Sequence, residues 1–181
     1  MSQDLLERKW SNFFRHFDAD GNGFIEHDDF VLRGAQVAAA FGYATETPAA
    51  QAVTSGFQRV WESLAGNLDT DGDGRVSREE FTGGMTVFAD GDRYQDLFQP
   101  AIDALLAMGD ADGDGQLSQA EWVRLQMGYG TSESDAEYTF GLLDADGSGY
   151  LTRDEISAAT RQYFTSTDPE APGNGLYGPL A

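Results

Sequence analysis

Apolar residues recur at helical spacing in four blocks of this chain, and a run of aspartate and glycine cuts off each block. Leu6, Trp10, Phe13, Phe14 and Phe17 share one face ahead of the first run; Phe57, Val60, Trp61, Leu64 and Leu68 do so ahead of the second. Ile102, Leu105 and Leu106 precede the third run, and Tyr138, Phe140, Leu142 and Leu143 precede the fourth. A new helical segment opens after each run, at Phe30, Phe81, Trp122 and Ile156. The pattern predicts four helix–loop–helix units and an all-α fold class. The aromatic residues are read as core packing, with a ligand pocket as the alternative.

The runs begin at Asp18, Asp69, Asp110 and Asp144, so they are spaced by 51, 41 and 34 residues. The short last interval ties the third and fourth units into a pair. The long first interval holds an outgoing helix from about Asp28 to Phe41, then the stretch GYATETPAA, then a helix whose first turn suits Thr47 and Pro48. Gly83, Gly84, Gly91 and Pro100 are expected to interrupt the region between the second and third units, which argues against one long central helix. One compact body of two pairs is expected, with boundaries at 1–90 and 91–164 and a Gly/Pro extension over 165–181.

Within the runs, twelve-residue stretches place oxygen side chains at positions 1, 3, 5 and 12 around a glycine at position 6. They read DADGNGFIEHDD, DTDGDGRVSREE, DADGDGQLSQAE and DADGSGYLTRDE. This is the spacing of the EF-hand calcium loop. Calcium is a hard cation that takes roughly 6–8 oxygens at about 2.3–2.6 Å, so a short segment must fold around it. In the second loop Asp69, Asp71 and Asp73 supply carboxylates and Arg75 a backbone carbonyl. Ser77 acts through water or its hydroxyl, and Glu80 closes the site with both oxygens. The third loop repeats this with Asp110, Asp112, Asp114, Gln116, Ser118 and Glu121. The fourth uses Asp144, Asp146, Ser148, Tyr150, Thr152 and Glu155, with a serine hydroxyl at position 5 where Asp or Asn is usual.

The first loop has Asp18, Asp20, Asn22, Phe24 and Glu26, but Asp29 stands at position 12 in place of glutamate. Aspartate is one methylene shorter and reaches an ion less easily with both oxygens. The expectation is weaker calcium binding, or a six-coordinate site that accepts magnesium, whose ligands lie at about 2.0–2.1 Å. Glu26 is a candidate to compensate. The competing explanation for Asp-Gly runs is a plain surface turn, since turns select both residues. Position 8 argues against it: Ile25, Val76, Leu117 and Leu151 are aliphatic every time, as required where paired loops bridge back to back.

Charge adds to this picture. The 181 residues carry a formal charge of −20, from 31 acidic against 11 basic side chains. That balance argues against nucleic-acid partners and anionic membrane surfaces, which want cationic patches. Clustered carboxylates also give the chain an electrostatic reason to be loose without metal and compact with it. There is no cysteine, so disulfides and thiol chemistry are excluded. The amino-terminal MSQDLLERKW shows no basic-then-apolar secretory pattern, and no run approaches the roughly 18 apolar residues of a membrane span. A cytoplasmic monomer is expected, with calcium ions as its partners and no protein target that the sequence can name.

The tail, TSTDPEAPGNGLYGPLA, holds three of the five prolines and is expected to be non-helical. It has two readings. One is a disordered end; the other is docking of Leu176, Tyr177 and Leu180 into the groove between paired hands.

Four hands, a long first interval, a substituted first loop, aromatic-rich helices and this tail together resemble the sarcoplasmic calcium-binding proteins. WSNFFRHFDADGNGFIEHDDF and AAAFGYAT are similar to the first hand of their prokaryotic calerythrin branch. The resemblance covers essentially the whole chain. It implies a compact all-α fold and cytoplasmic calcium buffering or transport, with magnesium competition. Members commonly have one degenerate hand, often the second; here the second loop is intact and is expected to bind.

Two functional classes compete within this frame. A buffer needs only the loops, whereas a sensor exposes a groove to a target helix, and such grooves favour flexible methionine. Four Met against twelve Phe, seven Tyr and three Trp favour the buffer. An enzyme is the third class, and the residues argue against it. His16 and His27 are the only imidazoles; His16 sits beside helix aromatics and His27 at position 10 of the first loop.

Overall fold

The computed structural model describes residues 2–44, 46–88, 93–178 and 180. Its elements run α1 (Ser2–Phe17), β1 (Phe24–Ile25), α2 (His27–Ala40), α3 (Pro48–Leu68), β2 (Val76–Ser77) and α4 (Arg78–Phe88). They continue with α5 (Arg93–Gly109), β3 (Leu117–Ser118), α6 (Gln119–Gly128), α7 (Glu133–Leu143), β4 (Tyr150–Leu151) and α8 (Arg153–Thr165). A 3₁₀ turn follows at Pro172–Gly175. α3 starts where the sequence says it should, with Pro48 in its first turn and the Thr47 hydroxyl accepting from the Ala50 N–H at 3.2 Å.

The strands join the hands into two pairs. β1 lies antiparallel to β2 with Ile25 opposite Val76, and β3 antiparallel to β4 with Leu117 opposite Leu151. All four of these position-8 side chains are buried. Fully burying each is worth roughly 1.5–3 kcal/mol, so the bridge is both a geometric and an energetic link between neighbouring loops.

One hydrophobic cluster runs through both pairs. It includes Phe13, Phe30, Phe57 and Leu64 from the first pair and Ile102, Trp122, Phe140 and Phe164 from the second. The pairs meet along α3 against α5 and α2 against α6. At the second crossing Gly128 lies so close to α2 that a Cβ would stand 3.0 Å from Val37 Cα. α1 is fastened to the far end of the chain. Lys9 Nζ donates to the Gln162 and Ser166 carbonyls at 3.2 and 2.7 Å, and Trp10 Nε1 to the Phe164 carbonyl at 3.2 Å.

Several expectations need correction. Pro100 does not end a helix: α5 runs through it, giving up one backbone bond while Phe98, Ile102 and Leu106 bury against the core. Gly83 and Gly84 likewise lie inside α4, and Gly84 faces Leu68 where a side chain would collide. Gly91 lies outside the described residues. Tyr138 is 69% exposed rather than part of the apolar face of α7. The tail is neither free nor wholly non-helical. Its 3₁₀ turn packs on α8 and α7, Leu176 is buried, and Tyr177 meets the rings of Phe13, Tyr129 and Tyr163 at 5.3, 6.4 and 5.0 Å.

Candidate metal centres

Each loop is closed by the same hydrogen bonds. The position-1 aspartate accepts from the position-6 glycine N–H: Gly23 to Asp18 at 3.0 Å, Gly74 to Asp69 at 3.0 Å, Gly115 to Asp110 at 2.8 Å and Gly149 to Asp144 at 3.0 Å. Those amides can turn inward because position 6 has φ between 83° and 90°, a conformation open to glycine at little cost. The glycine at position 4, for which the spacing gave no reason, has positive φ in every loop as well.

Position 3 accepts from the N–H of position 5, and position 5 from that of position 7. The position-3 acceptors are Asp20, Asp71, Asp112 and Asp146, at 2.9–3.1 Å. At position 5, Asn22, Asp73 and Asp114 accept from Phe24, Arg75 and Gln116 at 2.8–2.9 Å. Ser148 takes the same place, its hydroxyl accepting from Tyr150 N–H at 3.3 Å. A serine therefore preserves the loop's internal bonding where a carboxylate is usual.

Position 12 ties the end of each loop to its start. Glu80, Glu121 and Glu155 accept with one oxygen from the residue at position 2 and with the other from position 9, at distances from 2.8 to 3.2 Å. Asp29 makes the equivalent pair, accepting from Ala19 N–H at 2.9 Å and Glu26 N–H at 2.8 Å. Its shorter chain reaches by sitting deeper, and it is only 4% exposed. Burial accordingly raises its pKa, against the lowering effect of the Glu26 and Ala19 amides. Glu80 is the opposite case. The Ser77 and Thr70 amides, with both hydroxyls, pull it down to about 2.

Position 9 plays a part that the spacing alone did not reveal. The hydroxyls of Ser77, Ser118 and Thr152 donate to the position-12 carboxylate at 2.7–2.8 Å, and each accepts from the N–H of that same glutamate, in the first turn of the outgoing helix. This is a capping box, legible in the sequence as Ser or Thr followed three residues later by Glu. Glu26 has no hydroxyl to give, so Asp29 lacks that donor.

In every loop at least three carboxylates converge, with ligand atoms within 4.8 Å of one another. The sets are Asp18, Asp20 and Asp29; Asp69, Asp71 and Asp73; Asp110, Asp112 and Glu121; and Asp144, Asp146 and Glu155. Glu26, Glu80 and Asp114 stand outside them. One oxygen speaks directly for a cation: Asp18 Oδ1 is buried and has no donor among the described residues. A buried carboxylate oxygen with no donor is costly, and a hard cation would relieve it. Loops one and two also touch, because Arg75 bonds Asp73 at 2.8 Å while its guanidinium lies 4.1 Å from the Phe24 ring centre.

Comparison with known proteins agrees with this geometry. The EF-hand domain pair family matches residues 7–86, and the EF hand family matches 102–126 and 136–158. The structure of a calcium-binding protein from Streptomyces coelicolor is 36% identical, with a TM-score of 0.80 over 89% of this chain and 98% of that one. The chain belongs to the EF-hand calcium-binding proteins. Within them it is a homologue of calerythrin from Saccharopolyspora erythraea, at 28% identity over 96% of this chain and 98% of that protein. The amphioxus sarcoplasmic calcium-binding protein, at 19% identity and a TM-score of 0.76 over 98% of each chain, shares the fold of this EF-hand protein. No helix among the described residues is long and apolar enough to cross a membrane.

Proposed function

We propose that this EF-hand protein is a calcium buffer: a monomer of the cytoplasm that takes up ions without presenting a surface to a protein target and without catalysing a reaction. The side chains at positions 1, 3, 5 and 12 of all four loops are its ligands, together with the position-7 carbonyls of Phe24, Arg75, Gln116 and Tyr150. Asp29 leaves the first loop with a smaller ligand set that also admits magnesium.

The observation that supports a buffer over a sensor is the docked tail. Leu176 is buried and Tyr177 packs among the rings of Phe13, Tyr129 and Tyr163, which supports the reading that the tail covers the surface a target helix would need. Binding a hydrophobic dye tests this. Calcium should raise dye binding by the full chain only slightly, whereas deletion of residues 169–181 should raise it strongly. A large calcium-dependent rise in the full chain, or calcium-dependent capture of an amphipathic helix, would make the protein a sensor.

A further inference from the structure

One side-chain amide organises the turn that docks the tail. Asn174, in the 3₁₀ turn, donates through Nδ2 to the Asp168 and Pro169 carbonyls at 2.9 Å each. Its own N–H donates to the Ala171 carbonyl at 3.0 Å, so this residue ties the segment from Asp168 onward into a closed loop. Its Oδ1 is buried and has no donor among the described residues. The residues that follow are the docked ones: Gly175, whose carbonyl accepts from Thr139 Oγ1 at 3.3 Å, then Leu176 and Tyr177.

Asn174 is followed by a glycine. Asparagine is least secure chemically in that pair, because no side chain shields the next backbone nitrogen. Gly175 N attacks Asn174 Cγ, ammonia leaves and a five-membered imide closes; water then opens the ring. The net change is amide plus water to carboxylate plus ammonium, with aspartate or isoaspartate left in the chain. Aspartate would set a charged oxygen against the Asp168 and Pro169 carbonyls, acceptor facing acceptor, in a turn that already carries Asp168 and Glu170. Isoaspartate reroutes the backbone through the side chain and adds a methylene to the turn.

We infer that Asn174 is a deamidation site that acts as a one-way release for the tail. The intact amide holds the tail down, and its conversion keeps Tyr177 away from the rings of Phe13 and Tyr163. Turning Cγ towards the Gly175 nitrogen gives up both carbonyl bonds, so the docked tail slows the reaction and a lifted tail lets it proceed. The inference rests on the docked tail and not on whether the protein is a buffer or a sensor.

Ageing the full calcium-loaded chain at mildly alkaline pH, followed by peptide mapping, tests this and separates Asn174 from Asn22, the other asparagine that precedes a glycine. Conversion at Asn174 should be matched by loss of nuclear Overhauser contacts between Tyr177 and Phe13 and by a rise in hydrophobic-dye binding. Gly173→Ala, which displaces the tail, should convert Asn174 about thirtyfold faster, the scale of two hydrogen bonds. Asn174→Asp should undock the tail without ageing. Asn174→Ala, which loses the donors but adds no charge, should do so less. Wild-type tail contacts in a folded Asn174→Asp would overturn the inference. So would equal rates at Asn174 in the wild type and Gly173→Ala, or an Asn174 that stays intact in both while Asn22 converts.

Discussion

At the scale of single residues, the first loop differs from the others at positions 9 and 12, where Glu26 replaces a hydroxyl residue and Asp29 is one methylene shorter than glutamate. Asp29 reaches both of its backbone donors only by burying itself, and Glu26 cannot supply the hydroxyl that Ser77, Ser118 and Thr152 give to their glutamates. Asp29→Glu should therefore tighten calcium at this loop and weaken magnesium, because the longer chain can offer both oxygens to a larger ion. Direct calcium and magnesium titrations of the variant check this; unchanged affinities would mean that Asp29 is not the limiting ligand. His16 gives a second prediction. Burial first, then the charges of Arg33 and Arg15, lower its pKa from 6.5 to about 4. The unfolded chain then binds the proton before the folded one does. This contribution to stability is complete above about pH 6.5 and is lost as pH falls towards 4, to a limit of about 3 kcal/mol. Melting of the metal-free protein between pH 7 and 4 should fall less steeply in His16→Phe than in the wild type.

At the scale of elements, the position-8 bridges and the tail turn hold the hands together. Leu117 and Leu151 are fully buried partners across the β3–β4 bridge, so Leu117→Ala should cost about 2–5 kcal/mol. Chemical denaturation measures that cost. Gly173 sits against α8 so closely that a Cβ would meet the Ala159 carbonyl and stand 2.8 Å from Gln162 Cβ. Gly173→Ala should displace the tail and raise dye binding as the deletion does, while leaving the loops intact. The helices, the pairing of loops through Ile25, Val76, Leu117 and Leu151, and the start of α3 at Pro48 were all legible in the sequence. Each rests on a local rule of periodicity, spacing or capping. The misreadings arose where tertiary packing overrode such rules. α5 keeps Pro100 because its buried face outweighs one lost backbone bond, and Gly84 serves contact with Leu68 rather than a break. The tail could be read either way because its docking depends on surfaces remote in sequence, including the Asn12 side chain that donates to the Tyr177 carbonyl at 3.2 Å.

At the scale of the whole molecule, charge and closure act together. Four divalent ions would take the formal charge from −20 to about −12 by simple addition, relieving repulsion among carboxylates that lie within 4.8 Å of one another. Binding to the folded state alone adds about 4.1 kcal/mol per site when free ion is 1,000 times its dissociation constant. The chelated protein should accordingly melt well below the calcium-loaded one, and equal melting temperatures would contradict this linkage. The most direct test of the central claim is a calorimetric calcium titration of the full chain, with and without millimolar magnesium. Three tight sites are expected, at the second, third and fourth loops, with one weaker site that magnesium suppresses preferentially. Saturation at two ions or fewer would contradict it, as would four equivalent sites indifferent to magnesium.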